Sequence, residues 1–194
     1  MNKSKKNLDV VLLCGGKGQR LRPLTANIPK PLLLVNKKPF LFYVIKNFLN
    51  IKVNHIFLAS GYKSHKISKF KNKYLKNIKN ISVINSGNVD IIRRIQDCSE
   101  FIKNDFFVCY GDTYIKIDLK NYIKDFYKSK ADAIVSSAYY QLKFGTLKLD
   151  LKKKYIKKFQ EKPIIQQPIN LGYFIFKKHT LRMLKKNKSW LNFL

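Results

Sequence analysis

The first apolar run of the chain, Val10–Cys14, stops against Gly15-Gly16-Lys17-Gly18-Gln19-Arg20. Three glycines in four positions let the backbone turn sharply and aim successive N–H groups at one anion. Beyond this loop, apolar runs of strand length alternate with stretches of helical period, the pattern of βαβ units around a mostly parallel sheet. The spacing predicts strands over Val10–Cys14, His55–Ser60, Ile81–Ile84, Phe106–Tyr110, Ala133–Tyr139, Gly145–Leu149, Tyr155–Gln160 and Ile169–Phe176. It predicts helices from Pro39 to about Leu49, over Ser64–Leu75, along Ile91, Ile95, Cys98 and Ile102, from Leu119 to about Tyr127, and from near Lys178. Phe106–Tyr110 is apolar throughout, as a central strand covered on both faces requires.

At 194 residues, a single domain over 1–194 is expected. The 45% hydrophobic and 13% aromatic content excludes disorder despite a net charge of +29. Cys14, Cys98 and Cys109 form no closely spaced set, which argues against a disulfide scaffold or zinc site and for a reducing, cytoplasmic setting. No apolar run approaches the roughly 20 residues that span a bilayer. The basic start Met1–Lys6 leads into an apolar stretch too short for a signal peptide, so no membrane partner is expected.

The 40 Lys+Arg include five arginines, at positions 20, 22, 93, 94 and 182, and the lysines are spread along the whole chain. They read as solvated helix faces. An RNP1-like aromatic strand, a GXXG loop and a Cys/His finger are all missing, which argues against a nucleic-acid partner. The 11 acids say more, because none falls between Asp9 and Asp90 and none follows Glu161.

Four stations carry chemistry. At the glycine loop, Arg20 and, beyond it, Lys30 of Pro29-Lys30-Pro31 can neutralise a polyphosphate. The spacing is neither that of a P-loop nor that of a dinucleotide fold, which needs an acid about 20 residues further on. Gly111-Asp112 follows the central strand directly, so Asp112 sits where parallel sheets bind ligands, and one carboxylate plus substrate phosphates makes a magnesium site. In Phe159-Gln160-Glu161-Lys162-Pro163, a turn before Pro163 would bring Glu161 and Lys162 to one cleft; a persisting strand would point them to opposite faces. Asn170 and Gly172 interrupt the apolar strand Ile169–Phe176, which suggests close approach of a ligand or another backbone. Three scattered histidines, His55, His65 and His179, lack metal spacing.

In this order the stations resemble the sugar-1-phosphate nucleotidyltransferase family. Leu13 through Thr25, then Pro29-Lys30-Pro31-Leu32 and Val35, match its signature almost residue for residue. Gly61-Tyr62-Lys63, Tyr110-Gly111-Asp112, Phe144-Gly145, Phe159–Pro163 and Asn170–Phe176 follow in the expected succession, covering about residues 8–180. The resemblance implies a Rossmann-like three-layer αβα fold, glycosyltransferase-A-like, with a mostly parallel mixed sheet. It implies transfer of a nucleoside monophosphate from a nucleoside triphosphate to a sugar 1-phosphate, with Mg2+ as cofactor and an activated sugar for surface polysaccharide as product. Gly15, Gly16 and Gly18 would cradle the nucleotide, with Leu13, Cys14, Ser86, Gly87 and Arg93 also against it. Arg20 would hold the leaving pyrophosphate, Lys30 the α-phosphate, Asp112 the metal and Lys162 the sugar phosphate. Gly145, Glu161 and Asn170 would face the sugar.

Asn85-Ser86-Gly87 and Phe144-Gly145 look most like glucose-1-phosphate cytidylyltransferases, with heptose-1-phosphate guanylyltransferases and thymidylyl- or uridylyltransferases close. Two departures stand out. Asp90-Ile91-Ile92 replaces the family's Thr-Gly-Gly, and the family's second metal-binding Asp, beyond the Asn170 strand, has no counterpart after Glu161. A chain shortened at its C-terminus relative to the family is therefore expected. It works with one metal, or is completed by a partner chain such as a second copy of itself, or is an impaired relative that binds nucleotide or sugar phosphate as a regulatory subunit.

Overall fold

The computed structural model describes residues 7–186. The chain divides into two compact units, residues 1–134 with 172–194, and residues 135–171. The basic start Met1–Lys6 lies outside the described residues.

The first unit is built on a sheet of β1 (Leu8–Leu13), β4 (Val53–Ser60), β5 (Ile81–Asn85), β6 (Phe106–Tyr110), β7 (Ala133–Ala138) and β10 (Ile169–Phe176). Their order is β5-β4-β1-β6-β10-β7, with β5, β4, β1 and β6 parallel and β10 antiparallel to β6. Strands β7 and β10 carry the chain out of this unit and back. Period-two alternation decides how each strand is covered. Leu8, Val10, Leu12 and Cys14 join one apolar cluster with α1 (Phe40–Leu49), α2 (Ser64–Tyr74) and α4 (Leu119–Ser129). Val11 and Leu13 join a second cluster with α3 (Ile91–Ser99) and α5 (Leu181–Lys186). The result is the αβα layering expected, a mixed and mostly parallel sheet between helices.

Two features were hidden from the polarity pattern. β1 starts at Leu8 because Asp9, fully buried, is satisfied where it lies: its carboxylate accepts from Asn54 Nδ2 (2.7 Å), Lys103 N (2.8 Å) and Asn104 N (2.9 Å). A two-residue hairpin, β2 (Leu34–Val35) with β3 (Lys38–Pro39), precedes α1. None of the described helices is long and apolar enough to cross a membrane.

The second unit is a ribbon of β8 (Thr146–Asp150) and β9 (Tyr155–Gln160), paired antiparallel from Thr146↔Gln160 to Asp150↔Tyr155. Behind it, Leu142 N donates to Pro163 O and Ile165 N to Tyr140 O, both at 2.9 Å.

All three cysteines are free and buried. Burial pushes the Cys98 thiol from the usual 9.0 up to about 12, and the nearby Asp97 adds to the rise. Between those values the unfolded chain has lost a proton that the folded chain keeps, so the slope of stability against pH is negative there. The stabilisation is complete below pH 9 and lost as pH rises through about 12. We expect the urea midpoint to fall between pH 8 and pH 11, and Ellman's reagent at pH 8 to find thiols only as the protein unfolds. Fast reaction of native protein would contradict this burial.

Candidate active site

Strand β1 pairs with β6 in the register Leu13↔Tyr110, so the glycine loop and Gly111-Asp112 leave the sheet side by side. The Gly111 N–H donates to Leu13 O at 3.0 Å, which locks the two exits together. From β1 the chain steps outward to β4 and β5, then returns to β6 on the other side of β1. Open α/β sheets bind ligands outside the carboxyl ends of the strands at such a reversal.

The loop is seated by its own contacts. Gly18 takes a φ of 60°, and a Cβ there would meet Thr25 Cγ2 at 3.0 Å and Lys30 Cβ at 3.1 Å. The buried Thr25 donates its hydroxyl to Gly18 O at 2.8 Å. Lys30 opens a single 3-10 turn, Lys30–Leu32, whose Pro31 and Leu32 are buried; the backbone is anchored while the side chain reaches out. Lys30 Nζ lies 2.7 Å from Asp112 Oδ2.

The loop, Lys17, Arg20, Lys30, Arg94 and Asp112 line a cleft of about 490 Å³. A smaller hollow of about 230 Å³, with Leu13, Cys14, Ile91 and Tyr110 in its lining, shares Lys30, Arg94 and Asp112 with it. Four cationic side chains against one carboxylate make the larger cleft a polyanion site, in which low-dielectric walls focus the field. Cys14 is no nucleophile here, since burial first and the Asp112 charge second hold its thiol far above the usual value. Among the described residues no group of three or more His, Cys, Asp or Glu is placed to hold an ion. Asp112 with phosphate oxygens is nonetheless a sufficient donor set for magnesium, which keeps several waters and takes one or two carboxylates.

Of the residues singled out in the sequence, Leu13, Cys14, Gly15, Gly16, Gly18, Arg20, Lys30 and Asp112 therefore line these two hollows. Arg93 does not. It projects from α3 to pair with Asp97 at 2.9 Å, over a separate surface groove with Gln96 and Glu100. One residue along a helix is a turn of about 100°, so its neighbour Arg94, which sequence reasoning passed over, faces the cleft instead. Ser86 and Gly87 precede the cleft-lining Asn88 and Val89; Gly87 has a φ of 69° and donates its N–H to Asn85 Oδ1.

In the second unit, β9 ends at Gln160 and the chain bends before Pro163, with Glu161 and Lys162 both exposed. Lys162 has a φ of 43°, and its Nζ stands 3.7 Å from Glu161 Oε1. A Cβ at Gly145 would meet Glu161 Oε2 at 3.1 Å, so Gly145, Glu161 and Lys162 form one cluster. Asn170 lies at the start of β10.

The family model for nucleotidyl transferases matches residues 9–191. The chain belongs to that family. It is 32% identical to the bifunctional protein GlmU of Methanocaldococcus jannaschii over 93% of its own length, and spans 43% of that relative. It is 28% identical to a probable glucose-1-phosphate cytidylyltransferase of Bacillus subtilis, covering 93% of this chain and 79% of the relative. It is 30% identical to the D-glycero-alpha-D-manno-heptose 1-phosphate guanylyltransferase of Campylobacter jejuni, covering 88% and 76%. Among solved structures, HddC from Yersinia pseudotuberculosis superposes with a TM-score of 0.71 at 26% identity, over 94% of this chain and 80% of that one. HddC thus shares the overall fold with this chain.

Proposed function

We propose that this chain transfers a nucleoside monophosphate from a nucleoside triphosphate to a sugar 1-phosphate, releasing pyrophosphate. The observation that carries this reading is the meeting of the glycine loop, Arg20, Lys30 and Asp112 in one cleft at the β1–β6 exit. An oxygen of the sugar phosphate attacks the α-phosphorus in line, and the bond from that phosphorus to the β-phosphate oxygen breaks. Such a transfer needs positioning and charge neutralisation more than a covalent nucleophile. Gly15, Gly16 and Gly18 offer backbone N–H groups to the phosphates, Arg20 balances the departing pyrophosphate, and Lys30 moves from Asp112 to the α-phosphate. A magnesium ion held by Asp112 and phosphate oxygens would add further neutralisation. Lys162, with Gly145, Glu161 and Asn170, is assigned to the sugar phosphate and its hydroxyls. The product fits a cytoplasmic supply of activated sugar for surface polysaccharide.

The test is pyrophosphate release from CTP, GTP, UTP and dTTP, each with a panel of sugar 1-phosphates and Mg2+. Release that requires both substrates is expected, with CTP and glucose 1-phosphate the favoured pair. No release with any pair, from protein shown to be folded, would reject catalysis. The lone carboxylate of the larger cleft favours one second reading, a relative that binds nucleotide without turning it over. Saturable nucleotide binding with no pyrophosphate release would establish it.

A further inference from the structure

Arg94 is only 5% exposed, and among the described residues no carboxylate lies within ion-pair distance of it. Its Nη1 donates to Ser60 O and its Nη2 to Val89 O, each at 2.7 Å. A guanidinium carries five N–H donors, so two neutral carbonyls leave both charge and donors over. Such a group, buried in the wall of a cleft, is built for an acceptor that arrives with a ligand.

Its position says which part of the ligand. Ser60 ends β4 and Gly15 follows β1, and a Cβ on either Gly15 or Gly61 would collide with Arg94 Nη1. The guanidinium thus lies over the β4–β1 junction, whereas Lys30 and Asp112 lie over the β1–β6 junction. A triphosphate whose α-phosphate meets Lys30 and Asp112 would extend its nucleoside across the glycine loop towards Arg94. There the smaller hollow supplies the apolar walls of Leu13, Val89 and Ile91 and room for a base. A second polar atom is unspent nearby. Ser86 N donates to the same Ser60 carbonyl at 3.1 Å, and Ser86 Oγ is buried without a hydrogen-bond partner.

On the footing of the reaction above, we propose that Arg94 reads the nucleobase. It donates to a base carbonyl, and so selects guanine, cytosine, uracil or thymine over adenine, which has none. A site built to hydrogen-bond one group discriminates against the analogue that lacks it, because its own buried donors are then left unpaired.

Equilibrium binding of GTP, CTP, UTP, ATP and inorganic tripolyphosphate, in Mg2+, tests this. In the native protein ATP is expected to bind at least about tenfold more weakly than the best of the other three. Arg94→Met is expected to shrink that gap below about threefold, and to weaken tripolyphosphate clearly less than it weakens the best carbonyl-bearing nucleotide. Arg94→Gln, which keeps an amide donor, should retain part of the gap, and it decides together with the native comparison if the methionine variant does not fold. ATP binding as tightly as the best carbonyl base would overturn the role, as would an unchanged gap in folded Arg94→Met. Equal losses for tripolyphosphate and nucleotides would place Arg94 on the phosphates instead, also against the proposal. Failure of every triphosphate to bind would reject the reaction assignment itself, an outcome distinct from binding without discrimination.

Discussion

Replacing Lys30 with methionine is expected to lower kcat/KM for pyrophosphate release by about 10²–10³-fold while leaving the fold intact. The backbone at this position is anchored by the buried Pro31 and Leu32, and the side chain is 40% exposed with Asp112 as its ion-pair partner. Partly exposed pairs of this sort contribute only about 0–1 kcal/mol to stability, so methionine costs the fold little. The same weakness lets a triphosphate draw the ammonium away from Asp112 and on to the α-phosphate, where its charge matters most as the transfer proceeds. Circular dichroism and thermal unfolding should match the native protein. Arginine should rescue only partly, because a planar fork does not replace a compact ammonium. A loss below about threefold would show that Lys30 does not touch the reacting phosphate.

Gly172→Ala is expected to destabilise the first unit strongly. Gly172 has a φ of 77°, and a Cβ there would run into the ring of Tyr110. The left-handed backbone costs an L-residue about 1–2 kcal/mol, and overpacking a fixed ring adds about 1–3 kcal/mol. Neither strand yields easily: β10 continues as Tyr173↔Cys109 and Phe174↔Val108 against β6, with all four residues buried. Thermal unfolding should drop by roughly 10 °C, taking about 2–4 °C per kcal/mol for a chain of this size. A shift under about 2 °C would mean that Tyr110 swings aside freely. Since Tyr110 also borders the smaller hollow, nucleotide affinity should fall with stability.

The strand positions were legible because both sheet faces are covered. The run Phe106–Tyr110 then carries no polar interruption, and its ends coincide with those of the strand observed. The start of β1 was not legible, because a buried, fully bonded Asp9 looks in sequence like a loop acid. The β2–β3 hairpin turns on Asn36 and Lys37, both with positive φ; without the glycine that usually follows, Asn36 alone is a weak mark of it. At the site, the glycine loop and Asp112 could be read because each follows a strand end, and Lys30 because Pro29 and Pro31 bracket it. Arg94 could not. It sits beside Arg93 in an amphipathic helix of a lysine-rich chain, where a solvated face is the natural reading of any cation. The one available signal was indirect, in that Gly15 and Gly61 are both glycines where a large side chain presses on the backbone.

The most direct measurement is a crystal structure of the protein with Mg2+ and the triphosphate that it binds best. The account predicts phosphate density over Gly15–Gly18, with Lys30 Nζ withdrawn from its 2.7 Å contact with Asp112 and placed on the α-phosphate. Density for the nucleotide elsewhere, with the Lys30–Asp112 pair still closed, would contradict it.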